Sequence, residues 1–190
     1  MEKIVLVEPE VPGNTGFIAR LASNFEANIR IVNPGFNLSK ARKTANNSQK
    51  KLREAKIYDR LEEAIENLDH VVGTKPGKGI ALNSFKPRVN TSLVIGRESS
   101  GLTNEELEKC DAVVHIETGD YSSINQSHAT AILMHKFFTT EVGKANFGNL
   151  GVLKDDVGEK TMELLKRSSP TKGETQAVIA EIKESKKDSM

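Results

Sequence analysis

The chain has 190 residues, 27 of them Lys or Arg and 26 Asp or Glu, for a net charge of +1. This length suits one domain with an appendage, and 37% apolar against 28% charged residues leaves enough hydrophobic surface to build a core. Near-neutrality excludes capture of a polyanion by a global field, so an anionic partner needs a local basic patch. The single cysteine, Cys110, excludes an internal disulfide and most thiolate metal sites, and suits a reducing, cytoplasmic setting.

In chain order, Lys3 to Val7 reads as a buried strand, too short for a signal peptide or membrane span. Pro9, Pro12 and Gly13 break it, and Asn14 can cap a helix running to about Phe25. Ile29 to Val32 is a second strand, closed by Asn33, Pro34 and Gly35. Leu38 to about Leu52 is polar and reads either as a helix or as a mobile loop. Ile57 and Tyr58 form a short strand, Leu61 to Leu68 a helix and His70 to Thr74 a strand. Lys75 to Arg88 is loop-rich because of Pro76, Gly77, Gly79 and Pro87. Thr91 to Ile95 is a strand, Asn104 to Lys109 a short helix and Ala112 to Ile116 the last strand, followed by an apolar helix from Ala129 to Phe138. Strands alternating with helices predict a mostly parallel α/β sheet. Beyond about Glu141 the character changes, with two short helices expected at Val157 to Arg167 and Thr175 to Lys183.

Two strand-to-helix turns carry the chemistry. Ile116 to Ala129 encloses Ser122, Ser123, Asn125 and Ser127, more small polar residues than one helix cap requires. Gly96-Arg97-Glu98-Ser99-Ser100-Gly101-Leu102 follows the run Leu93 to Ile95. Such turns leave backbone groups free to hold a ligand at the carboxyl edge of a parallel sheet. Glu98 is a ligand-loop group or a buttress, and Thr103 with Glu106 matches a capping box. On the first helix, spacing puts Phe17, Ile18, Leu21 and Phe25 in the buried stripe and Gly16, Arg20 and Asn24 on the other face. Gly16 would let something large approach beside Arg20, which reads as a polyanion contact or as an ordinary solvated arginine. His128 and His135 are seven apart with no third ligand, so no metal site is expected.

Three segments in order, Asn14 to Arg20, Ile95 to Leu102 and Ser123 to Ala129, resemble the SPOUT superfamily of RNA methyltransferases, in its SpoU-like, 2′-O-methylating branch. The opening Glu8 to Asn14 and the run Gly96 to Leu107 look most like the TrmJ-type tRNA enzymes. Ile124 stands where the family usually has leucine, a swap that keeps volume and apolarity.

The resemblance implies an α/β fold: a mostly parallel sheet with helices on both faces, a C-terminal trefoil knot at about 91–138, a methyltransferase domain over 1–142 and a short helical extension over 143–190. It implies S-adenosylmethionine as cofactor, held by Thr74, Lys75, Ile95, Gly96, Arg97, Glu98, Gly101, Leu102, Ile116, Ser123, Ile124, Asn125, Ser127 and Ala129. It assigns the chemistry to Arg20, Asn14, Glu98, Ser123 and Asn125, with Arg20 reaching the donor bound by the other subunit of a homodimer. The substrate is RNA, most consistent with tRNA in the anticodon region at position 32. Ribosomal RNA is the second choice, and a non-catalytic RNA-binding module on the same fold the third. Lys40, Arg42, Lys43, Lys50, Lys51 and Arg53, with Arg20, are the expected RNA contacts, backed by a second basic segment at Lys75, Lys78, Lys86 and Arg88. No membrane and no metal are expected.

Overall fold

The computed structural model describes residues 3–88 and 90–139. The strands are β1 (Lys3–Val7), β2 (Asn28–Val32), β3 (Lys56–Tyr58), β4 (His70–Thr74), β5 (Ile80–Ala81), β6 (Thr91–Ile95) and β7 (Ala112–His115). The helices are α1 (Pro12–Asn24), α2 (Arg42–Ala45), α3 (Gln49–Arg53), α4 (Leu61–Ile65), α5 (Asn104–Glu108) and α6 (Gln126–Thr139). The seven strands form one sheet in the order β3-β2-β1-β6-β4-β7-β5, and every strand pair is parallel. The helices expected at Val157 to Arg167 and Thr175 to Lys183, and the extension over 143–190, lie outside the described residues.

Both faces of the central strands are covered, which is why β1 and β6 read as unbroken apolar runs. Ile4, Leu6, Leu93 and Ile95 point into one core cluster, and Val5, Val7 and Val94 into the other. The period of two thus divides one strand between two cores. Ile4, Leu6 and Leu93 are fully buried, and truncating any of them to alanine should cost about 2–5 kcal/mol.

Several local expectations change. Asn14 does not cap α1: Val11 occupies the cap, in an extended conformation, and Pro12 takes the first helical position. Proline suits that place because its fixed φ matches the helix and its missing N–H would be unpaired anyway. Asn14 therefore sits inside the first turn, with its side chain aimed across the sheet end. The buried stripe of α1 also differs from the predicted one. Asn14, Thr15, Gly16, Ile18, Ala19 and Ala22 are buried, while Phe17 is 45% exposed. The approach at Gly16 is made by the chain itself: a Cβ there would lie 2.4 Å from the Ala41 carbonyl oxygen and 2.9 Å from the Ala45 nitrogen. The glycine thus serves helix-to-helix packing against α2 and not a ligand.

The polar stretch after Leu38 folds as α2, a 3₁₀ turn at Asn46–Ser48 and α3, with Ala41, Ala45 and Leu52 buried in the core. The loop-rich segment holds a strand that sequence does not announce, β5, whose two residues pair with β7. Gly79 makes that pairing possible: its φ is +83°, and a Cβ would lie 2.1 Å from the Val113 carbonyl oxygen. α6 starts earlier than its apolar run, at Gln126, because Asn125 caps it.

At the amino end of β4, His70 is buried beside Thr91, 3.1 Å from Nδ1 to Oγ1. The Thr91 hydroxyl donates to the Arg88 carbonyl at 2.7 Å, so it accepts from His70, which fixes the proton on Nδ1. Burial, and then the nearby Arg88 charge, pushes the His70 pKa below its ordinary value.

Candidate active site

The carboxyl ends of β4, β6 and β7 open into a cavity of about 370 Å³, within the roughly 300–1,000 Å³ usual for small-molecule sites. Its wall comes from Thr74 to Pro76, Ile95 to Gly101, Val114 to Ile116, Ser122 to Ile124, and Gln126, Ala129 and Leu133 of α6. This is the edge of a parallel sheet where ligands are expected. Its lining combines apolar side chains, Ile95, Val114, Ile116, Ile124, Ala129 and Leu133, with polar ones, Thr74, Glu98, Ser99, Ser100, Ser122 and Ser123.

The loop after β6 is shaped by its glycines. A Cβ on Gly96 would lie 2.2 Å from the Gly101 carbonyl carbon, so the two ends of the loop touch backbone to backbone. Gly101 itself has a φ of +69°, a region that side chains other than glycine populate only under strain.

Acidic residues then lock this loop to the one after β1. The Glu98 carboxylate accepts from the backbone N–H groups of Glu10 at 2.8 Å and Val11 at 3.2 Å, and from the Asn14 amide at 3.2 Å. In return the Glu10 carboxylate accepts from the Ser99 N–H at 2.9 Å and its hydroxyl at 2.8 Å. Arg97 forks onto Glu106 through two bonds of 3.0 Å and donates from Nε to Glu8 at 2.7 Å. The hydrogen bond from Arg97, and then its charge, holds the Glu8 carboxyl below its usual range against the opposing effect of burial, and the two carboxylates hold Arg97 more firmly protonated. Glu8 has a φ of +44°, a strained value for a non-glycine residue that persists because its neighbours over-determine it. Glu106 also closes the predicted capping box with Thr103.

The third motif joins the same network. Asn125 donates to the Asn14 oxygen at 3.1 Å. Its own oxygen accepts from the Ser127 N–H at 2.9 Å and the Ser127 hydroxyl at 2.8 Å, which caps α6. Glu98, Asn14, Asn125 and Ser127 therefore form one continuous chain through three segments far apart in sequence.

Of the residues expected at a cofactor, Thr74, Lys75, Ile95, Gly96, Arg97, Glu98, Gly101, Ile116, Ser123, Ile124 and Ala129 line the cavity. Leu102, Asn125 and Ser127 do not. Leu102 is buried in the core with Val94 and Leu107, and Asn125 and Ser127 are spent on the cap. Lys75 lines the wall, but its ammonium is tied to the Leu102 carbonyl at 2.8 Å, and Lys78 bonds to Asn104 at 3.0 Å. Sequence reading placed Ser99, Ser100, Ser122 and Gln126 within the ligand turns without assigning them to the cofactor, and missed Pro76, Val114, His115 and Leu133. The serines were legible as neighbours of the motif residues, whereas His115, Gln126 and Leu133 face inward only because of the way β7 and α6 are set.

Arg20 is exposed and is not part of the wall. It lies six residues after Asn14, about 9 Å further along α1. Among the expected RNA contacts, Lys40, Arg42, Lys43 and Arg53 are exposed with no hydrogen bond or ion pair among the described residues. Lys50 pairs with Glu54 at 3.7 Å. Lys51 is instead structural: its ammonium bonds to the Ala27 carbonyl at 2.6 Å and reaches Asn28 at 3.4 Å.

The cavity residues fit the implied cofactor. Apolar lining residues stand beside polar ones, and two buried polar atoms in wall residues, Gln126 Oε1 and His115 Nδ1, have no hydrogen-bond partner among the described residues. No group of three or more His, Cys, Asp or Glu side chains suited to a metal occurs among the described residues. No helix among them is long and apolar enough to cross a membrane.

The sequence profile of the SpoU rRNA Methylase family matches residues 2–135. The chain is 34% identical over 159 residues to the tRNA (cytidine-2′-O-)-methyltransferase TrmJ of Methanocaldococcus jannaschii, covering 75% of this chain and 69% of that one. A solved structure described as giving structural insights into the 2-OH methylation of C/U34 on tRNA superposes with a TM-score of 0.69 at 25% identity, over 75% of this chain and 97% of that one. The SpoU methyltransferase AviRb of Streptomyces viridochromogenes, solved in complex with the cofactor AdoMet, shares the fold with a TM-score of 0.64 at 23% identity, over 72% of this chain and 58% of that one.

Proposed function

The chain belongs to the SpoU rRNA Methylase family, and from that premise we propose that it transfers a methyl group from S-adenosylmethionine to a ribose 2′-hydroxyl of tRNA. The observation that carries this reading is the chain of hydrogen bonds from Glu98 through Asn14 to Asn125, which draws all three motifs around one cavity. The cytidine of the archaeal relative supports a cytidine target, and the C/U34 of the structural neighbour supports the anticodon region; position 32 is proposed from the motif resemblance alone. Such a substrate places the protein in the cytoplasm. The domain over 1–142, the knot at about 91–138 and the extension over 143–190 belong to the same proposal.

When bound, the cofactor supplies an electrophilic methyl group on a sulfonium whose departure needs no acid. The chain's own residues must do the rest. Gly96 and Gly101 close the loop on itself and so fix the backbone that faces the ligand, and the apolar lining residues exclude water. Glu98 and Asn14 do not reach for the substrate; they set the loop that carries Ser99 and Ser100. Ser123, exposed at the cavity rim, orients the ribose. Holding the reacting atoms in line can supply roughly 7–11 kcal/mol.

Arg20 meets the sugar. A guanidinium keeps its proton far above neutral pH, so its role is to stabilise the oxygen that develops negative charge and to grip the adjacent phosphate. It cannot do so in its own cavity, whose wall lacks it. The remedy is a homodimer in which Arg20 serves the other protomer's cavity. Phe17 on α1 and Ile132 and Phe138 on α6 are 45%, 43% and 56% exposed, an apolar surface on two adjacent helices that such an interface would cover. Lys40, Arg42, Lys43 and Arg53 follow the phosphates.

The test is methyl transfer to an unmodified tRNA transcript, with the product mapped at nucleotide level. A 2′-O-methyl at position 32 is expected. Methylation at position 34 would move the target, and transfer only to ribosomal RNA would overturn the substrate.

A further inference from the structure

We propose that Gln126 reads the cofactor's base: its carbonyl oxygen is the acceptor for the exocyclic amine of adenine. This rests on the S-adenosylmethionine reading above and names one contact within it.

Gln126 is 7% exposed, on the first turn of α6. Its amide nitrogen donates to the Gly96 carbonyl at 2.8 Å. That bond fixes which end of the amide is nitrogen and which is oxygen. The oxygen of this wall residue is buried and has no hydrogen-bond donor among the described residues. A sealed, unpaired carbonyl is costly, and each such atom in a native structure calls for an explanation, here a ligand that completes it.

An amide oxygen only accepts, so the missing group is a donor. His115 Nδ1 is also unpaired, but a ring nitrogen accepts or donates according to its tautomer and so does not define its partner. Position narrows the donor further. Gln126, Ala129 and Leu133 follow one another at spacings of three and four on α6, and therefore share a stripe. A flat ring lying on Ala129 and Leu133 brings its edge to the Gln126 amide one turn earlier, whose nitrogen stays on Gly96. The charged end of the ligand belongs with the polar lining residues Ser99 and Ser100. The group at the ring edge is then the adenine amine.

The test is calorimetric titration of the full chain with S-adenosylhomocysteine and with S-inosylhomocysteine, in which a carbonyl replaces the amine. The wild type should prefer the adenosyl compound by about tenfold or more. Gln126→Leu, similar in size but without the acceptor, should lose that preference. Gln126→Glu, titrated at mildly acidic pH, should keep it, because a protonated carboxyl donates to Gly96 and still offers a carbonyl. Circular dichroism checks that each variant folds, and the Glu variant carries the decision where the Leu variant does not fold. A Leu variant that still discriminates, or a folded Glu variant that does not, overturns the proposal. Equal affinity of the wild type for both compounds overturns it while leaving the cofactor reading intact. Binding of neither compound defeats the cofactor reading itself.

Discussion

The two sides of this domain spend their charges in opposite ways. Around the cavity, Glu8, Glu10, Glu98, Arg97 and Glu106 are all committed to neighbours within the chain. On α1 beyond its first turns, and along the segment from Lys40 to Arg53, Arg20, Lys40, Arg42, Lys43 and Arg53 hold no partner among the described residues. The first arrangement builds a rigid cradle before any ligand arrives. The second leaves its cations without partners in the described chain, the arrangement that the proposed RNA and second protomer would complete. The contrast also separates Arg97 and Arg20, both in family motifs: one braces a loop, and the other stands exposed, where the proposed substrate role needs it.

The largest effect that could break this contrast lies on the open side. Arg20→Ala should lower methyl transfer by about 10²–10³-fold while leaving calorimetric cofactor affinity unchanged. Arg20→Lys should recover little, since an ammonium lacks the fork that grips sugar and phosphate together. Next comes the cradle. Gly96→Ala forces a Cβ to within 2.2 Å of the Gly101 backbone, so cofactor affinity should fall at least about tenfold, with about 1–3 kcal/mol of stability lost in denaturant titration. Glu98→Ala removes the acceptor for two backbone N–H groups ahead of α1 and should cost about 1 kcal/mol in the same titration. It should weaken cofactor and substrate together.

A pH experiment sharpens the comparison, because its main group lies at the other end of the sheet. His70 is buried and neutral, with its folded pKa below the ordinary value. Above the unfolded value of about 6.5, both states are neutral and stability does not change. As pH falls below that, the unfolded chain takes up the proton first, so stability drops until the lowered folded pKa is passed. Thermal melts should show this acid loss, and His70→Gln should flatten it without altering the cradle. The smallest effect is expected on the basic segment. Replacing Lys40, Arg42 and Lys43 with alanine should reduce the slope of log affinity for tRNA against log salt by about 0.7–0.9 per cation. Replacing Lys51, which is bonded to Ala27, should cost stability instead.

The parallel sheet was legible because strands buried on both faces leave unbroken apolar runs, and the motifs at their ends marked the cavity. Three in-order motifs also named the residues that meet at Glu98, Asn14 and Asn125. What periodicity could not show is which face of α1 is doubly covered. Phe17 looks like core by its apolarity and proves half-exposed, and Gly16 looks like a ligand approach and proves to seat α2. Likewise Leu102, Asn125 and Ser127 stand in motif positions, yet their work is core packing and helix capping. Gln126 gave no signal, because its meaning depends on the Gly96 carbonyl thirty residues earlier.

The composite site is most directly tested by subunit mixing. Arg20→Ala and Gly96→Ala protomers are co-expressed, and the methyl transfer of the mixed population is measured at a cofactor concentration low enough that neither variant alone turns over appreciably. Random pairing leaves half the dimers mixed, each with one intact combination of cavity and arginine, so about a quarter of wild-type turnover should return. A mixture as inactive as either parent would contradict an arginine acting across the interface.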